Sequence, residues 1–354
     1  MGINVQLMNA LRDGMAIVAC PLALTKERKW DERRQRALCR YYSDACAGGI
    51  AVGVHTTQFA IRDPKVGLFR PLLELMAEEM NRLDGKRNTP LFRVAGVCGD
   101  TRQAVLEATL ASELGYHAGL LSLGALKDAD EDFLINHCRI VSEVIPIFGF
   151  YLQPAVGGRV LPYSFWRRLA DEVEKLVAIK IAPFNRYQTL DVVRAIADSG
   201  RDDVALYTGN DDNIILDLLT PFQFRLKGRE VELRIVGGLL GQWAVWTRRA
   251  VEIFEWCKAI AKSGEPIPKE LMCLHVHLTD ANGAIFDAAH NFAGCIPGIQ
   301  EVLLRQGLLE SNLCVDPNET LSPGQVEEID RVWNSYPHLR DDEFVAAHID
   351  EWMR

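Results

Sequence analysis

Short runs of apolar, often β-branched residues alternate with amphipathic segments from the start of the chain to residue 264. A short apolar run bounded by turn residues is typical of a buried strand, and apolar residues spaced three to four apart are typical of a helix. The pattern predicts eight strands, at residues 15–20, 49–55, 91–97, 118–123, 145–151, 176–181, 204–208 and 233–238. It predicts helices between them, at residues 31–47, 101–114, 131–143, 163–175, 189–198 and 242–262.

Eight strand-helix repeats over about 250 residues favour an α/β fold of the (β/α)8 TIM-barrel type over an open doubly wound sheet. The Gly-x-Gly-x-x-Gly segment of dinucleotide-binding sheets is absent after the first strand. Beyond the turn at 263–268 the alternation stops and the pattern becomes helical. We therefore predict two domains, a catalytic barrel at 1–264 and a C-terminal helical extension at 265–354.

Two side chains with acid or base chemistry end neighbouring predicted strands. Lys180 lies near the end of the sixth strand, and Tyr151 ends the fifth. Barrels carry their active sites at the carboxyl ends of the strands, so both groups are expected at one mouth. Burial disfavours the ammonium form of a lysine, and the neutral amine attacks carbonyl compounds. The pair predicts imine chemistry, and the structural alternative is a lysine stem covering apolar surface beside a hydrogen-bonded tyrosine.

Composition and charge narrow the classes of partner. The chain has 354 residues with a formal net charge of -9, which argues against binding to nucleic acid or to an anionic membrane surface. The first residues lack the pattern of a secretory signal, and no segment approaches the length of a membrane span. The nine cysteines are scattered without a Cys-x-x-Cys pair, which favours reduced thiols. We expect a cytoplasmic protein.

Two further segments carry candidate sites. Gly238 ends the eighth strand before a predicted helix, where barrels often bind phosphate through backbone N–H groups, and tight packing is the alternative. His275 and His277 would share one face of a strand, a spacing seen in some metal sites. No third or fourth ligand is identifiable, and we expect no metal and no organic cofactor.

Several segments resemble the dihydrodipicolinate synthase and N-acetylneuraminate lyase family of class I aldolases, and they follow the family's order along the chain. Residues 151–158, Tyr-Leu-Gln-Pro-Ala-Val-Gly-Gly, look like the family's Tyr-Asn-x-Pro segment, and residues 177–180, Val-Ala-Ile-Lys, look like its Schiff-base strand. Residues 55–59, His-Thr-Thr-Gln-Phe, resemble its Thr-Thr-Gly-Glu-Phe turn. The resemblance runs from about residue 15 to 250 and implies the same barrel.

This resemblance implies a role for each matched residue. Lys180 would form the imine with a 2-oxo acid, and Tyr151 would transfer protons. Thr56 and Thr57 would bind the substrate carboxylate. An ungapped match instead puts the family's two threonines on His55 and Thr56. The relatives also imply a homo-oligomer, either a dimer or a tetramer.

Two departures from the family pattern bear on the substrate. The synthase branch has a Pro-Tyr-Tyr segment after strand four, whereas residues 121–125 contain no tyrosine. The synthase arginine that binds a dicarboxylate has no counterpart at its position, since Arg159 lies three residues later. The segment 154–158 is closer to the lyase and sugar-acid branch. These departures favour pyruvate, a sugar acid or another 2-oxo acid over the synthase substrate.

The sequence therefore predicts a Schiff-base lyase of the aldolase type that acts through Lys180. A dehydratase of 2-oxo-3-deoxy sugar acids with the same lysine is the alternative within enzymes. A non-catalytic relative that binds a 2-oxo acid is the alternative from another class.

Overall fold

The computed structural model describes residues 3–226 and 228–354, and in these ranges eight parallel strands close into a barrel in the order β1-β10-β7-β6-β5-β4-β3-β2. The strands are β1 (Ala16–Ala19), β2 (Gly49–Val52), β3 (Phe92–Val97), β4 (Ala118–Leu121), β5 (Ile147–Leu152), β6 (Leu176–Ala182), β7 (Ala205–Thr208), β8 (Phe222–Leu226), β9 (Arg229–Leu233) and β10 (Ile235–Leu240). The predicted TIM barrel is confirmed, with helices after the barrel.

Helices alternate with the barrel strands and then continue alone to the C-terminus. They are α1 (Val5–Asp13), α2 (Glu32–Asp44), α3 (Phe69–Asp84), α4 (Thr101–Glu113), α5 (Glu131–Val144), α6 (Tyr163–Glu172), α7 (Arg186–Ser199), α8 (Ile214–Leu219), α9 (Thr247–Ser263), α10 (Lys269–Ile285), α11 (Cys295–Arg305), α12 (Gln325–Ser335) and α13 (Asp342–Trp352). Within the described ranges, no helix is both long and apolar enough to cross a membrane.

Local sequence accounts for many of these elements. Asp31, Asp100 and Asp130 each accept a hydrogen bond from a backbone N–H in the first turn of the helix that follows, which satisfies a donor that the helix leaves free. Every residue of β3 and β5 is buried, as expected for parallel strands covered on both faces. The apolar runs that predicted strands are therefore the runs that the barrel buries.

Contacts divide the chain into two compact units. The first consists of the segment ending at Met15 with Phe92–Leu239 and Cys257–Pro266, and the second consists of Ala16–Leu91, Leu240–Trp256 and Ile267–Arg354. In the first unit β5, β6 and β7 pair in parallel. The predicted domain boundary at residue 264 stays a prediction.

Side-chain hydrogen bonds connect the C-terminal helices of the second unit to α2 and to one another. The hydroxyl of Tyr41 donates to Oδ2 of Asp341 at 2.7 Å, and the indole of Trp352 donates to Asp44 at 2.7 Å. Oδ1 of Asp341 accepts from the side chain of Gln306 at 2.8 Å. Because these partners lie far apart in sequence, they hold the last helices in place by tertiary contacts.

Three details differ from the sequence predictions. An antiparallel hairpin of β8 and β9 precedes the last barrel strand, so the eighth barrel strand begins at Ile235. The helix predicted at 242–262 begins only at Thr247, because Trp246 has a positive φ of 52°. His275 and His277 lie in α10, so the strand geometry considered for a metal site was wrong.

Candidate active site

Lys180 lies near the carboxyl end of β6 and is buried, with 8% of its surface exposed. The register pairs it with Phe150 of β5 on one side and with Tyr207 of β7 on the other. Paired residues of parallel strands point to the same face, so these three side chains share a face. The lysine Nζ lies 4.7 Å from the centroid of the Phe150 ring, a distance at which a cation and an aromatic face attract each other.

The opposite face of these strands is the one covered by helices. Tyr151 of β5 packs against Trp166 of α6, with ring centroids 5.3 Å apart. Thr208 of β7 donates from its hydroxyl to Asp217 of α8 at 2.6 Å. Since a barrel strand has one face toward the helices and one toward the interior, Lys180 points into the interior.

Gly209, the first residue after β7, leaves room for the lysine side chain. A Cβ placed on this glycine would lie 2.6 Å from Cε of Lys180 and 2.8 Å from Cβ of Ala182. The glycine N–H donates to the carbonyl of Ile181 at 2.7 Å, so the two strand ends are joined here. The absence of a side chain at 209 is therefore what allows the lysine stem to occupy its position.

Tyr151 lies on a different face from Lys180. It pairs with Ile181 rather than with the lysine, and its hydroxyl accepts a hydrogen bond from the backbone N–H of Leu161 at 3.3 Å. Burial raises the pKa of this phenol, so it stays protonated at neutral pH. The proton-transfer role stays a prediction, and the geometry gives the ring a packing contact with α6.

The turn predicted to bind a carboxylate contains a short 3-10 helix, His55–Thr57, in the second unit. The hydroxyl of Thr56 donates to the carbonyl of Ala19 at 2.9 Å, and that of Thr57 donates to the carbonyl of Cys20 at 2.7 Å. Both hydroxyl protons are thus engaged in closing the turn against the end of β1. Their role toward a substrate stays a prediction, as does that of His55, whose ring centroid lies 6.0 Å from that of Phe59.

Gln58 follows this turn with a positive φ of 71°. Its Oε1 accepts a hydrogen bond from the backbone N–H of Val315 at 2.6 Å. This hydrogen bond joins Gln58 to a residue more than two hundred positions away, so it left no local signal in the sequence. Gln58 therefore fastens the turn to the C-terminal segment.

Gly238 lies inside β10 and pairs with Thr208 of β7. Its N–H points to the carbonyl of Met15 at 3.4 Å, so the strand ladder uses this donor. A Cβ at the preceding glycine, Gly237, would lie 2.6 Å from both Met15 O and the ring of Tyr207. Close packing explains the glycine at 237. A substrate contact of Gly238 stays a prediction.

Arg159 also has a structural partner. Its guanidinium donates to the carbonyls of Leu126 and Ala129, the latter at 3.1 Å, in the segment that follows β4. A Cβ at Gly124 would lie 2.2 Å from the carbonyl oxygen of Gly157. The segments after β4 and β5 therefore pack closely, and Arg159 links them by hydrogen bonds.

The aspartate that the sequence analysis missed is Asp217 in the apolar helix α8. It is fully buried and accepts side-chain hydrogen bonds from four residues, namely Thr208, Asn210, Asn213 and Arg186. The one available signal was a charged residue inside the run Ile-Ile-Leu-Asp-Leu-Leu. For metal ions, the described ranges contain no group of three or more His, Cys, Asp or Glu side chains able to hold one.

The protein is a (β/α)8 barrel with a buried lysine on its sixth strand. Comparisons with known proteins show which barrels of this class it is similar to. No protein-family model matches the chain. The 4-hydroxy-tetrahydrodipicolinate synthase of Acaryochloris marina is 28% identical over 177 residues, which are 48% of this chain. The chain thus spans 58% of the length of that curated relative.

Solved structures of similar fold cover nearly the whole chain. Dihydrodipicolinate synthase from Aquifex aeolicus has a TM-score of 0.73 at 18% identity, over 93% of this chain and 99% of its own. The Acinetobacter baumannii enzyme complexed with pyruvate has a TM-score of 0.72 at 18% identity, over 92% and 98%. CdNal from Clostridium difficile, in complex with mannosamine, has a TM-score of 0.71 at 16% identity, over 91% and 99%. The chain has the fold of the dihydrodipicolinate synthase family, and the resemblance seen in its sequence is confirmed.

Proposed function

We propose that the protein is a Schiff-base lyase of the class I aldolase type that acts on pyruvate or a related 2-oxo acid. The observation that carries this proposal is Lys180, a buried amine on the interior face at the carboxyl end of a barrel strand. A similar fold binds pyruvate in the Acinetobacter baumannii enzyme, and the curated relative is a synthase of the same family.

The reaction follows from the chemistry of the amine. The lone pair of Lys180 attacks the carbonyl carbon of the 2-oxo acid, and uptake of one proton followed by loss of water leaves an iminium ion. This cation withdraws electrons from the adjacent carbon, so that a carbon–carbon bond breaks or a proton leaves to form the enamine. Neither metal nor organic cofactor enters these steps.

Tyr151 enters this proposal as a structural residue. The family resemblance gives it the proton-transfer role, but its hydroxyl accepts from Leu161 on the helix-covered face. The interior face beside the lysine carries Phe150 instead. This arrangement also favours, as a second candidate, a relative that binds a 2-oxo acid without turnover.

Reduction with cyanoborohydride in the presence of pyruvate, followed by peptide mass analysis, tests the proposal. We expect a reduced adduct on Lys180 in the wild type and none in Lys180→Ala. Lys175→Ala, which removes a half-exposed amine just before the start of the same strand, is the matched control and should keep the adduct. A wild-type protein without an adduct on Lys180 would exclude the mechanism.

Product analysis then separates the candidates. Cleavage of a panel of 2-oxo-3-deoxy sugar acids identifies an aldolase, and loss of water identifies a dehydratase. An adduct with no product from any of them supports the binding protein. We also propose a cytoplasmic homo-oligomer, a dimer or tetramer, which sedimentation tests.

A further inference from the structure

Asp217 is a buried carboxylate next to the strand that follows the lysine strand. Its exposed fraction is 0%, and an unpaired charge in such a place would be strongly destabilising. Oδ2 accepts from the hydroxyl of Thr208 at 2.6 Å and from Nδ2 of Asn210 at 3.0 Å. Oδ1 accepts from Nδ2 of Asn213 at 2.9 Å and from the guanidinium of Arg186. Each carboxylate oxygen is therefore held by two side-chain donors.

Two of the four partners flank Gly209. Thr208 and Asn210 are both fully buried, and the backbone N–H of Asn210 also donates to the Thr208 hydroxyl at 3.1 Å. Their shared partner Oδ2 thus fixes the turn on both sides of the glycine. Gly209 itself contacts the lysine stem, where a Cβ would lie 2.6 Å from Cε of Lys180. The position of the turn therefore decides how much room the lysine has.

The other connections reach the segment that follows Lys180 along the chain. Oδ1 of Asn210 accepts from the backbone N–H of Phe184 at 3.0 Å. Arg186, at the start of α7, donates to Asp217 and also to the hydroxyl of Thr189 at 3.1 Å. The same carboxylate thus ties the end of β7 to the loop after β6.

We propose that Asp217 is a positioning residue for the imine-forming amine, which it holds through the turn at Gly209. This inference rests on the proposed function of Lys180. The carboxylate acts on the lysine through the turn at Gly209. It fixes the backbone against which the lysine stem lies, so that the amine meets the carbonyl carbon in one orientation. Such orientation carries much of the rate of a reaction between two bound groups.

Asp217→Asn keeps the shape and removes two acceptor positions. Whichever way the amide turns, its NH2 group faces at least one amide or guanidinium donor, so the turn loosens. We expect the maximal rate of pyruvate trapping on Lys180 to fall by about tenfold. The pyruvate concentration at half-maximal rate should change far less, because Asp217 bonds Thr208 on the face of β7 opposite the one that Lys180 shares. A purely structural role would not lower the maximal rate while leaving the half-saturating pyruvate concentration nearly unchanged.

Asp341→Asn is the matched control. Asp341 is also a buried carboxylate, and it accepts from the Tyr41 hydroxyl, the Arg248 backbone and the Gln306 side chain in the other unit. We expect its loss to lower the melting temperature and to leave the trapping rate within about twofold of the wild type. All rates are measured at a temperature at which circular dichroism shows each variant folded.

Two variants of Thr208 test the same inference and leave the Asp217–Arg186 ion pair in place. They remain informative even if Asp217→Asn does not fold. Thr208→Val removes the hydroxyl and should slow trapping, whereas Thr208→Ser retains it and should restore the rate. Equal slowing in Asp217→Asn and Asp341→Asn, or no difference between the two Thr208 variants, would overturn the role of Asp217. Either result would leave the proposed function of Lys180 standing. A wild type without any adduct would reject the proposed function and this inference together.

Discussion

The ends of β5 and β6 lie side by side in the sheet and present their reactive side chains in opposite directions. Lys180 of β6 points into the barrel interior, level with Phe150. Tyr151 of β5 turns the other way, onto Trp166 of α6. The difference is one residue of register, because side chains alternate between the two faces of a strand.

A polar residue at a strand end can be a reactive group in the barrel interior or a packed residue under a helix, and Lys180 and Tyr151 illustrate the two cases. Lys180 has a neighbour without a side chain, Gly209, and an aromatic ring beneath its amine, which is how a reactive group is given both room and burial. Tyr151 has a packed ring and a hydrogen-bonded hydroxyl, which is how a core residue is satisfied. Proximity along the strand end alone does not tell these two apart.

Gly209→Ala gives the largest expected effect. The new methyl group would lie 2.6 Å from Cε of Lys180, so the lysine has to move. A displacement of about 1 Å costs on the order of a hundredfold in rate, and we expect such a loss in pyruvate trapping. Gly283→Ala in α10 is the control, since a Cβ there meets nothing within 4 Å, and it should keep the wild-type rate.

Tyr151→Phe tests the other half of the comparison. It leaves the N–H of Leu161 without its partner, and we expect a loss of about 1 kcal/mol in the free energy of unfolding. The trapping rate on Lys180 should not change. Urea denaturation and trapping are measured on the same preparation. A slower reaction with unchanged stability would return the phenol to the mechanism.

Gly149→Ala places a methyl group on the helix-covered face of β5. Its nearest neighbours would be the side chains of Ile179, Leu176 and Trp166 at 3.4 to 3.5 Å, which is ordinary van der Waals contact. We expect a change of less than about 1 kcal/mol in stability and none in trapping. A rate loss like that of Gly209→Ala would contradict the assignment of the two faces.

The pH dependence of stability supplies the smallest and most specific test. Burial raises the pKa of Tyr151 above its ordinary value of 10.0, so the folded protein keeps a proton that the unfolded chain releases. The stabilisation that the protonated Tyr151 contributes is then fully present below pH 10 and is lost as pH rises through the folded-state pKa. The difference between wild type and Tyr151→Phe should therefore narrow above pH 10. A constant difference across that range would show that the phenol has an ordinary pKa.

Local sequence was sufficient for the barrel and for the burial of Lys180. The alternation of apolar runs with amphipathic segments predicts strands and helices because burial on two faces and burial on one face leave different periodicities. Lys180 stands out because a charged residue ends an otherwise apolar run. The resemblance to a known family strengthened both inferences through segments that are contiguous in the chain.

Only the tertiary structure decided which groups meet. The face of Tyr151 depends on the pairing of β5 with β6 and on contacts with Leu161 and Trp166. The importance of Asp217 depends on partners contributed by three segments, and that of Gln58 on a backbone N–H from the C-terminal part of the chain. Periodicity reports which residues are buried, but register and long-range hydrogen bonds are properties of the packed chain, and no local pattern encodes them.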